Sequence, residues 1–306
     1  MDLSIIIINF NTSELLQQCL KSIINSIKDD NILYEIIIVD NNSKDTSVYD
    51  LNKFIKENKQ GNIHLIENSN NTGFSKANNQ AISTSRGRYV LLLNPDTIIK
   101  DKTFKPLIDF MEGNPETGAI TCKLVLKNGK IDQACHRGFP TLWNSFTYFS
   151  GLEKIFPKSK AFSGYSMTYK KMNEVHEIDS GCGAFLLVRK TAGEKINWLD
   201  EDYFWYGEDI DFCYRLKQDN WKIFFIPDIE VIHLKGASSG LKKHSRQHSK
   251  INKKEKYAAV KSSTEVMRIF FKKHYKQKYP KAIFKMALFF IGILEKIRLL
   301  KFKLST

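Results

Sequence analysis

Short runs of β-branched residues alternate with polar stretches of helical periodicity throughout the first hundred residues of the chain. The run Leu3–Ile8 is almost continuously apolar, which is typical of a strand covered on both faces. Further strands are predicted at Glu35–Val39, Asn62–Ile66 and Tyr89–Leu93, and helices at 13–27, after position 43 or 45, and at 74–84. This alternation predicts a parallel sheet with helices on its faces, an α/β fold.

Polar residues follow the predicted strands at the edge where the ligands of parallel α/β sheets bind. Asp40 ends the second strand, where its carboxylate suits a nucleobase imide or a ribose hydroxyl, or else caps a turn. Asn94 and Asp96 follow the fourth strand two positions apart, so both side chains can face one hard cation. The alternative for this pair is a simple Asn-Pro-Asp turn, and this alternative is favoured when the three residues are considered alone.

The segment 70–79 combines a glycine with the start of a predicted helix. Gly73 permits the close approach of a ligand, a helix N-terminus attracts phosphate, and Lys76 adds positive charge. Gly73, Lys76 and Asn78 are therefore candidate contacts of a phosphate-bearing ligand. A glycine turn with an ordinary helix cap is the alternative, and the chain has neither the GxGxxG nor the GxxxxGK[ST] pattern.

The densest group of carboxylates opens a helix predicted at 208–218. Glu208, Asp209 and Asp211 lie within four residues and follow two aromatic side chains, Trp205 and Tyr206. Such a group suits a general base beside the flat apolar face of a sugar, and mutual repulsion raises the pKa of one member. An acidic helix N-terminus stabilised by the helix dipole is the alternative.

A single histidine, His233, ends the second of two strands predicted at 223–226 and 229–232, on either side of a Pro227-Asp228 turn. An imidazole can ligate a metal ion, and Lys235 with the loop amides after it can contact a diphosphate. A lone histidine at a strand end is more often structural, so its interpretation depends on its neighbours.

Positive charge is concentrated at the C-terminal end of the chain. Of the net charge of +14, the segment from Lys235 to Thr306 contributes +17, from 20 lysines and arginines against three glutamates, and the remainder carries −3. A weakly acidic body with a cationic tail predicts a localised anionic partner and opposes a nucleic-acid binder. The five cysteines are far apart and include no CxxC pair, which favours reduced thiols in a cytosolic protein.

Two helices are predicted in the tail, at about 256–273 and 281–302. The second mixes lysines with large apolar residues, which is typical of a helix on an anionic membrane surface; a helix packed on the body with a solvated basic side is the alternative. Its longest uncharged run, Met286–Leu294, has nine residues, whereas a bilayer span needs about 20. The start of the chain lacks a basic region and predicts a strand, not a signal peptide.

Seven motifs follow one another along the chain: IIIINFN, IVDNNSKD, NNTGFSKANN, LLLNPDT, DSGCGAFLLVRK, YGEDIDFCYRLKQDNWK and VIHLKG. Together they closely resemble bacterial family-two glycosyltransferases, particularly the rhamnosyltransferase-like branch, from about Leu3 to Ser239. The resemblance implies a nucleotide-sugar transferase fold of the GT-A type, with a single mixed, mostly parallel sheet flanked by helices and followed by a basic helical tail. We accordingly expect a catalytic domain at 1–240 and a basic, amphipathic helical segment at 241–306.

The same resemblance implies roles for the donor-side residues. Phe10 would lie against the nucleobase, and Asp40 would hydrogen-bond to it. Asn94 and Asp96 take the place of the family's DxD metal motif, in which asparagine is the weaker ligand, and His233 would complete the cation's protein ligands.

The resemblance also implies roles on the acceptor side. Asp209 aligns with the family's catalytic base, and Glu208 and Asp211 are its neighbours. Gly181 begins the segment that lines the acceptor side. Lys235 or Lys76 would help to neutralise the departing diphosphate.

These roles imply an inverting transfer of a sugar from a nucleotide-diphosphate donor to a glycan hydroxyl, assisted by Mg²⁺ or Mn²⁺, in cell-surface polysaccharide synthesis. The resemblance favours dTDP-rhamnose as donor, with a UDP-hexose such as galactofuranose, N-acetylglucosamine or glucose as the alternative. It also favours a polyprenyl-diphosphate-linked acceptor and a peripheral position at the cytoplasmic face of the plasma membrane.

Two other classes of protein are compatible with an α/β chain. A sugar nucleotidyltransferase normally carries a Gly- and basic-rich N-terminal loop, which the segment INFNTSE lacks. A catalytically silent membrane-associated scaffold has no need of Asp96, Asp209 and His233 together.

Overall fold

The computed structural model describes residues 1–58, 61–234 and 253–304. Its strands are β1 (Leu3–Asn9), β2 (Tyr34–Asp40), β3 (Ile63–Glu67), β4 (Tyr89–Leu93), β5 (Thr97–Ile99), β6 (Thr117–Leu126), β7 (His176–Glu177), β8 (Phe185–Arg189) and β9 (Lys222–His233). Its helices are α1 (Ser13–Ile27), α2 (Ser47–Asn58), α3 (Phe74–Thr84), α4 (Phe104–Gly113), α5 (Leu142–Ser150), α6 (Leu152–Ile155), α7 (Lys190–Lys195), α8 (Glu208–Gln218), α9 (Lys253–His274) and α10 (Lys281–Leu304).

The described strands form one mixed sheet in the order β3-β2-β1-β4-β8-β6-β9-β5, and β7 pairs with β9. Strands β1, β2, β3, β4, β6 and β9 run in one direction, and β5, β7 and β8 run in the other. The expected single, mixed and mostly parallel sheet is therefore confirmed. Its N-terminal part is parallel because a helix separates each strand from the next, and parallel neighbours need such crossovers.

The central strands are buried on both faces, as their apolar runs predict. Every residue of β1 and β4 is buried, and α1 buries Leu16, Leu20 and Ile23 in the same core. The register of β1 against β2 pairs Asn9 with Asp40. The polar residues that end these strands therefore lie side by side at one edge of the sheet.

Strand β9 differs from the expectation of two strands separated by a turn. It is one strand whose pairing with β6 skips from Ile226 to Glu230, so Pro227 lies in a bulge. A bulge suits proline because the residue without an N–H group is left out of the ladder. Beyond the bulge β9 pairs with β5, and its last residue, His233, lies opposite Thr97.

The aromatic-rich middle of the chain contains the two helices α5 and α6. Thr141 caps α5 by accepting a hydrogen bond from the Asn144 amide, and Gly151, at φ +79°, ends it. Aromatic residues favour strands in general, but here the caps determine the helix. Trp143, Phe146 and Phe149 of α5 are half or more exposed.

Helices α9 and α10 pack on the body of the protein through a second apolar cluster. Phe270 and Phe271 of α9, with Tyr275 directly after it, meet Ile291 of α10 and Tyr214 of α8. The tail that the sequence separates by its charge is thus joined to the preceding residues by shared apolar burial.

A buried polar contact joins α8 to α9. The carboxylate of Asp211 accepts a hydrogen bond from Arg215 Nε at 2.7 Å and lies 2.6 Å from His274 Nε2. Burial opposes the ionised form, but the bonds from His274 and Arg215 lower the pKa of Asp211 overall. Asp211 therefore acts as an anionic link between two helices.

The outward face of α10 is apolar. Met286, Phe289, Phe290 and Leu300 are each more than half exposed, and Ile293, Ile297 and Leu304 share their face at intervals of three or four residues. Helix α10 therefore packs on the body of the protein, as one of the two interpretations of the tail predicts. That interpretation also predicts a solvated basic side, whereas the solvent side of α10 is largely apolar. Among the residues described, no helix combines the length and the apolar character needed to cross a membrane.

We expect Asp211→Asn to lower the free energy of unfolding by about 3 kcal/mol, because it removes one member of a buried charged group and leaves its partners unpaired. Urea unfolding at neutral pH measures the loss. Asp228→Asn is the matched control, since Asp228 is exposed in the β9 bulge. Equal stability of the two variants would contradict the assigned link.

Candidate active site

A cavity of about 750 Å³ opens at the sheet edge where β1, β2 and β4 end. Segments that are distant in the sequence converge on it: the ends of β1 and β4, the start of α3, the loop before α8, and helices α5, α9 and α10. The predicted site residues that line it are Phe10, Gly73, Asn94, Trp205, Tyr206, Glu208, Asp209 and His233. The position agrees with the general rule for ligands of such sheets.

One end of the cavity is formed by residues that follow β1 and β2. Phe10 and Asn41 line it, together with Asn71. Asp40 does not; its carboxylate accepts hydrogen bonds from Asn9 Nδ2 at 2.7 Å and from the Ser43 hydroxyl at 2.6 Å. These bonds fasten the ends of two strands, so a contact between Asp40 and a nucleobase stays a prediction.

The predicted phosphate contacts of α3 are not brought together in the cavity. Lys76 is exposed, and Asn78 is buried with its amide donating to the Phe74 carbonyl at 2.9 Å. Lys76 follows Phe74 by two residues and therefore lies on another side of the helix, and neither Lys76 nor Asn78 lines the cavity. Gly73 does line the cavity. Its φ is +87°, and a Cβ atom at this position would lie only 2.7 Å from the ring of Phe204. Packing against Phe204 is thus sufficient to explain the glycine.

The candidate cation ligands do meet. Strand pairing brings His233 beside Asp96, with 3.4 Å between Nε2 and Oδ1, and Asp132 approaches the other ring nitrogen, Nδ1, at 2.9 Å. Burial disfavours the imidazolium, but the two carboxylates outweigh it and raise the pKa of His233 to about 9. Asn94 lines the same wall of the cavity.

These residues fit part of a divalent-cation site. Asp96 Oδ1 is buried and makes no hydrogen bond with any described residue, while Asp132 fixes the orientation of the His233 ring. Within 1–58, 61–234 and 253–304, no group of three or more histidine, cysteine, aspartate or glutamate side chains is arranged to hold a metal. The side chains thus supply two or three ligands, and a bound diphosphate would have to supply others.

Asp209 lies in the cavity wall with an arginine that no sequence motif marks. Arg137 Nη2 donates to Asp209 Oδ2 at 2.6 Å and to the Gly181 carbonyl at 3.0 Å. Arg137 is held in place by a backbone bridge to Ser180. Asp209 keeps a small exposed fraction, 14% of its side chain, which leaves it accessible from the cavity.

Glu208 is the neutral member of the carboxylate group. Burial, followed by the charge of Asp209, raises the pKa of Glu208 to about 8. Its Oε2 atom is buried and has no hydrogen-bond partner among the described residues, although the side chain lines the cavity. It can therefore donate a hydrogen bond at neutral pH. Asp211, the third member, lies outside the cavity in the link between α8 and α9, which corrects its expected place beside the base.

Some of the acceptor-side candidates line the cavity and others do not. Trp205 and Tyr206 line the cavity with their rings stacked 5.3 Å apart. Gly181 lies behind the wall, where its carbonyl holds Arg137, and the next residue, Cys182, reaches the cavity. Lys235 lies outside the described residues.

Sequence reasoning missed two charged side chains of the site, Arg137 and Asp132. Both belong to the irregular segment after β6, where neither periodicity nor a recognisable motif marks them. A buried histidine with a raised pKa requires a carboxylate neighbour, so His233 is the signal that could have prompted a search for Asp132.

Comparison with known proteins places the chain among sugar-transferring enzymes. Residues 4–173 match the family described as Glycosyl transferase family 2, and residues 89–282 match Glycosyl transferase family group 2. The chain is 28% identical over 223 residues to the rhamnosyltransferase WbbL of Escherichia coli K12, a match that covers 70% of this chain and 78% of WbbL.

A second relative and a solved structure extend the comparison. The chain is 26% identical over 190 residues to the N-acetylglucosaminyl-diphospho-decaprenol L-rhamnosyltransferase of Mycobacterium tuberculosis, covering 58% of this chain and 61% of that enzyme. The mannosyltransferase PcManGT of Pyrobaculum calidifontis, solved with GDP-Man and Mn²⁺, superposes with a TM-score of 0.59 and 13% identity over 99% of this chain and 73% of its own. This likeness confirms the expected GT-A fold.

Glu208→Gln should make the folded protein less sensitive to alkaline pH. Between about pH 4.5 and 8 the folded chain keeps a proton on Glu208 that the unfolded chain releases, so this residue lowers stability as the pH rises through that range. Glutamine cannot ionise, so the free energy of unfolding of the variant relative to wild type should increase from pH 5.5 to pH 8.5. Urea unfolding at both pH values measures this difference. The exposed Glu194→Gln is the control, and an equal difference at both pH values for Glu208→Gln would refute the buried acid.

Proposed function

The chain belongs to glycosyltransferase family 2, and from that membership we propose that it transfers a hexosyl group from a nucleotide-diphosphate donor to a glycan hydroxyl with inversion of configuration. One observation carries the proposal. Asp209 and His233 line the same cavity, and the buried Asp96 carboxylate lies 3.4 Å from the His233 ring, so that a general base and a cation site lie beside a common space.

We further propose dTDP-rhamnose as the donor and a polyprenyl-diphosphate-linked glycan as the acceptor, in cell-surface polysaccharide synthesis. The support is that both relatives described above are rhamnosyltransferases and that the name of one specifies a diphospho-decaprenol acceptor. A UDP-hexose is the alternative donor.

The proposed reaction is a single displacement. Asp209 takes the proton of the acceptor hydroxyl, and the acceptor oxygen forms a bond to the anomeric carbon of the donor. The bond from that carbon to the diphosphate oxygen breaks, and the nucleoside diphosphate leaves with the bonding electrons. Attack opposite the leaving group inverts the configuration through a transition state of oxocarbenium character.

The neighbours of Asp209 support this step in different ways. Arg137 holds one carboxylate oxygen at 2.6 Å and the Ile210 amide holds the other at 2.7 Å, so the base has a fixed orientation. Glu208, which carries a proton at neutral pH, can donate to a sugar hydroxyl. The stacked rings of Trp205 and Tyr206 offer an apolar surface to a sugar face.

A divalent cation, Mg²⁺ or Mn²⁺, would be held by Asp96 and His233, with Asn94 as a further oxygen ligand. It would neutralise charge on the diphosphate of the donor. Because a metal ligand must be unprotonated, the cation would replace the proton that the two carboxylates hold on His233.

We propose that the protein lies peripherally on the cytoplasmic face of the plasma membrane through α10. The exposed apolar face of α10 has exposed lysines along its margins, Lys285, Lys296, Lys301 and Lys303. This pattern is that of a helix lying in an anionic interface. The +17 charge of the segment that contains α10 supports the same placement.

We expect Asp209→Asn to reduce sugar transfer by about 10²- to 10⁴-fold, the usual contribution of a general base, and to leave donor binding intact. Calorimetry with dTDP-rhamnose, UDP-galactose, UDP-N-acetylglucosamine and GDP-mannose, each with and without Mn²⁺, identifies the donor, and a transfer assay with that donor measures the loss. Asp228→Asn serves as the control. Unchanged turnover in Asp209→Asn would refute the assigned base, and a wild-type protein that binds none of the donors would favour a silent scaffold.

Replacing two apolar residues of α10 with acids, Phe289→Glu together with Leu300→Glu, should weaken binding to phosphatidylglycerol vesicles by about 100-fold or more. Each side chain loses the roughly 1.5–3 kcal/mol of its apolar transfer and adds repulsion from the anionic surface. Vesicle flotation measures the bound fraction. Leu33→Glu with Tyr49→Glu is the control, since these residues are equally exposed far from α10 in the sequence. Equal losses in both double variants would exclude α10 as the contact.

A further inference from the structure

The inner face of α10 carries a cation into the wall of the active-site cavity. Arg298 follows Ile291 by seven residues, on the face that packs against α9, and it lines the cavity together with Asp209. The side chain is half-buried. Its described hydrogen bonds both leave from Nη1 and both reach Ser263 of α9, the hydroxyl at 3.0 Å and the backbone carbonyl at 3.5 Å.

Arg298 differs from most of the other described arginines in that no described carboxylate pairs with it. Arg86, Arg88, Arg137, Arg215 and Arg268 each pair with a carboxylate. Arg189 makes no such pair, but it donates to the backbone carbonyls of Thr117, Met111 and Asn114. In the part of the chain that the structure describes, Arg298 has no carboxylate within ion-pair distance.

The surroundings of Arg298 are neutral hydroxyl groups. Burial lowers the pKa of Arg298, and the opposing influence comes from the phenol of Tyr148. Tyr148, Ser145 and Ser263 line the cavity with it. A guanidinium among neutral groups, with no carboxylate partner among the described residues, suits an anion, and its planar arrangement of N–H groups matches a phosphate.

The location favours the acceptor over the donor as the source of that phosphate. The wall that holds Arg298 is built by α5, α9 and α10, and the Ser262 hydroxyl of α9 donates to the Trp205 carbonyl at 2.8 Å. Trp205 belongs to the proposed acceptor side, whereas the donor side lies at the ends of β1 and β4. The outward face of the same helix is the proposed membrane contact, so the guanidinium lies next to the surface from which a lipid-linked substrate would enter.

We propose that Arg298, held in place by Ser263 and next to Tyr148, forms a subsite for a phosphate group of the acceptor. The inference rests on the proposed glycosyl transfer and adds to it that the acceptor is recognised through a phosphate ester next to its sugar. No bond is made or broken at this subsite; it holds the acceptor in position by charge-assisted hydrogen bonds.

The test compares two acceptors that differ only in phosphate. One is N-acetylglucosamine linked through a diphosphate to a short prenyl chain, and the other is the same sugar linked to an alkyl chain of equal length without phosphate. For Arg298→Gln we expect KM for the diphosphate acceptor to rise about 10- to 100-fold, the effect of losing a charge-assisted bond, and a change at least tenfold smaller for the phosphate-free acceptor. Arg298→Lys should recover part of the loss. Lys272→Gln, which removes the same charge from an exposed position on α9, should behave as wild type.

Three results would overturn the subsite. One is an equal rise of KM for both acceptors in Arg298→Gln, and another is no rise for either. The third is a loss of binding to phosphatidylglycerol vesicles with unchanged KM for the diphosphate acceptor, which would assign Arg298 to a lipid headgroup.

Calorimetric binding of the diphosphate acceptor to the full chain separates this inference from the proposed function. If the wild type transfers sugar to neither acceptor, the proposed acceptor class fails. The subsite is still tested by binding, because Arg298→Gln should then weaken binding of the diphosphate compound. Equal binding by Arg298→Gln and wild type would overturn the subsite while leaving glycosyl transfer intact.

Discussion

The need to bury β1, β2 and β4 on both faces determines where this protein can act. Strands that are apolar on both sides need covering elements on both sides, so the chain crosses over through helices and the strands run parallel. Their polar ends then meet at one edge. There the bond from Asn9 to Asp40 joins neighbouring strands, and Asp96 follows the next one, so the same packing requirement that makes the core also collects the polar side chains of the site.

The ionisable side chains of the cavity lie in different environments, so that similar groups differ in their affinity for a proton. Arg137 pairs with Asp209, whereas the neighbouring Glu208 is buried, its Oε2 atom has no hydrogen-bond partner among the described residues, and its pKa is raised to about 8. His233 lies between two carboxylates and holds a proton more tightly than a free imidazole. Burial and pairing alone thus give ordinary side chains the properties of the proposed base, of a hydrogen-bond donor and of the proposed cation site.

The sequence predicts those parts of the structure that depend on local patterns. The bounds of α3, α8 and β4 agree with the predicted 74–84, 208–218 and 89–93, because the pattern of apolar residues operates within each segment. Residues whose role depends on distant partners were not predictable in this way. The Ser13 amide at the start of α1 donates a hydrogen bond to Asp45, which lies 32 residues further along the chain. Arg137 likewise gains its role only when a loop meets α8.

Helix α10 combines two unusual features. Its outer face is apolar and exposed, and its inner face carries Arg298, which has no carboxylate partner among the described residues. Helical periodicity makes the connection, since residues three, four and seven positions apart share a face: Phe289 and Leu300 point outward, while Ile291 and Arg298 point toward α9. The anchoring of α9 to α8 through Asp211 fixes this helix pair relative to Asp209. The exposed apolar face of α10 and the guanidinium of Arg298 are therefore held at a fixed position relative to Asp209, as the proposed substrate, with a lipid, a phosphate and a sugar in sequence, would require.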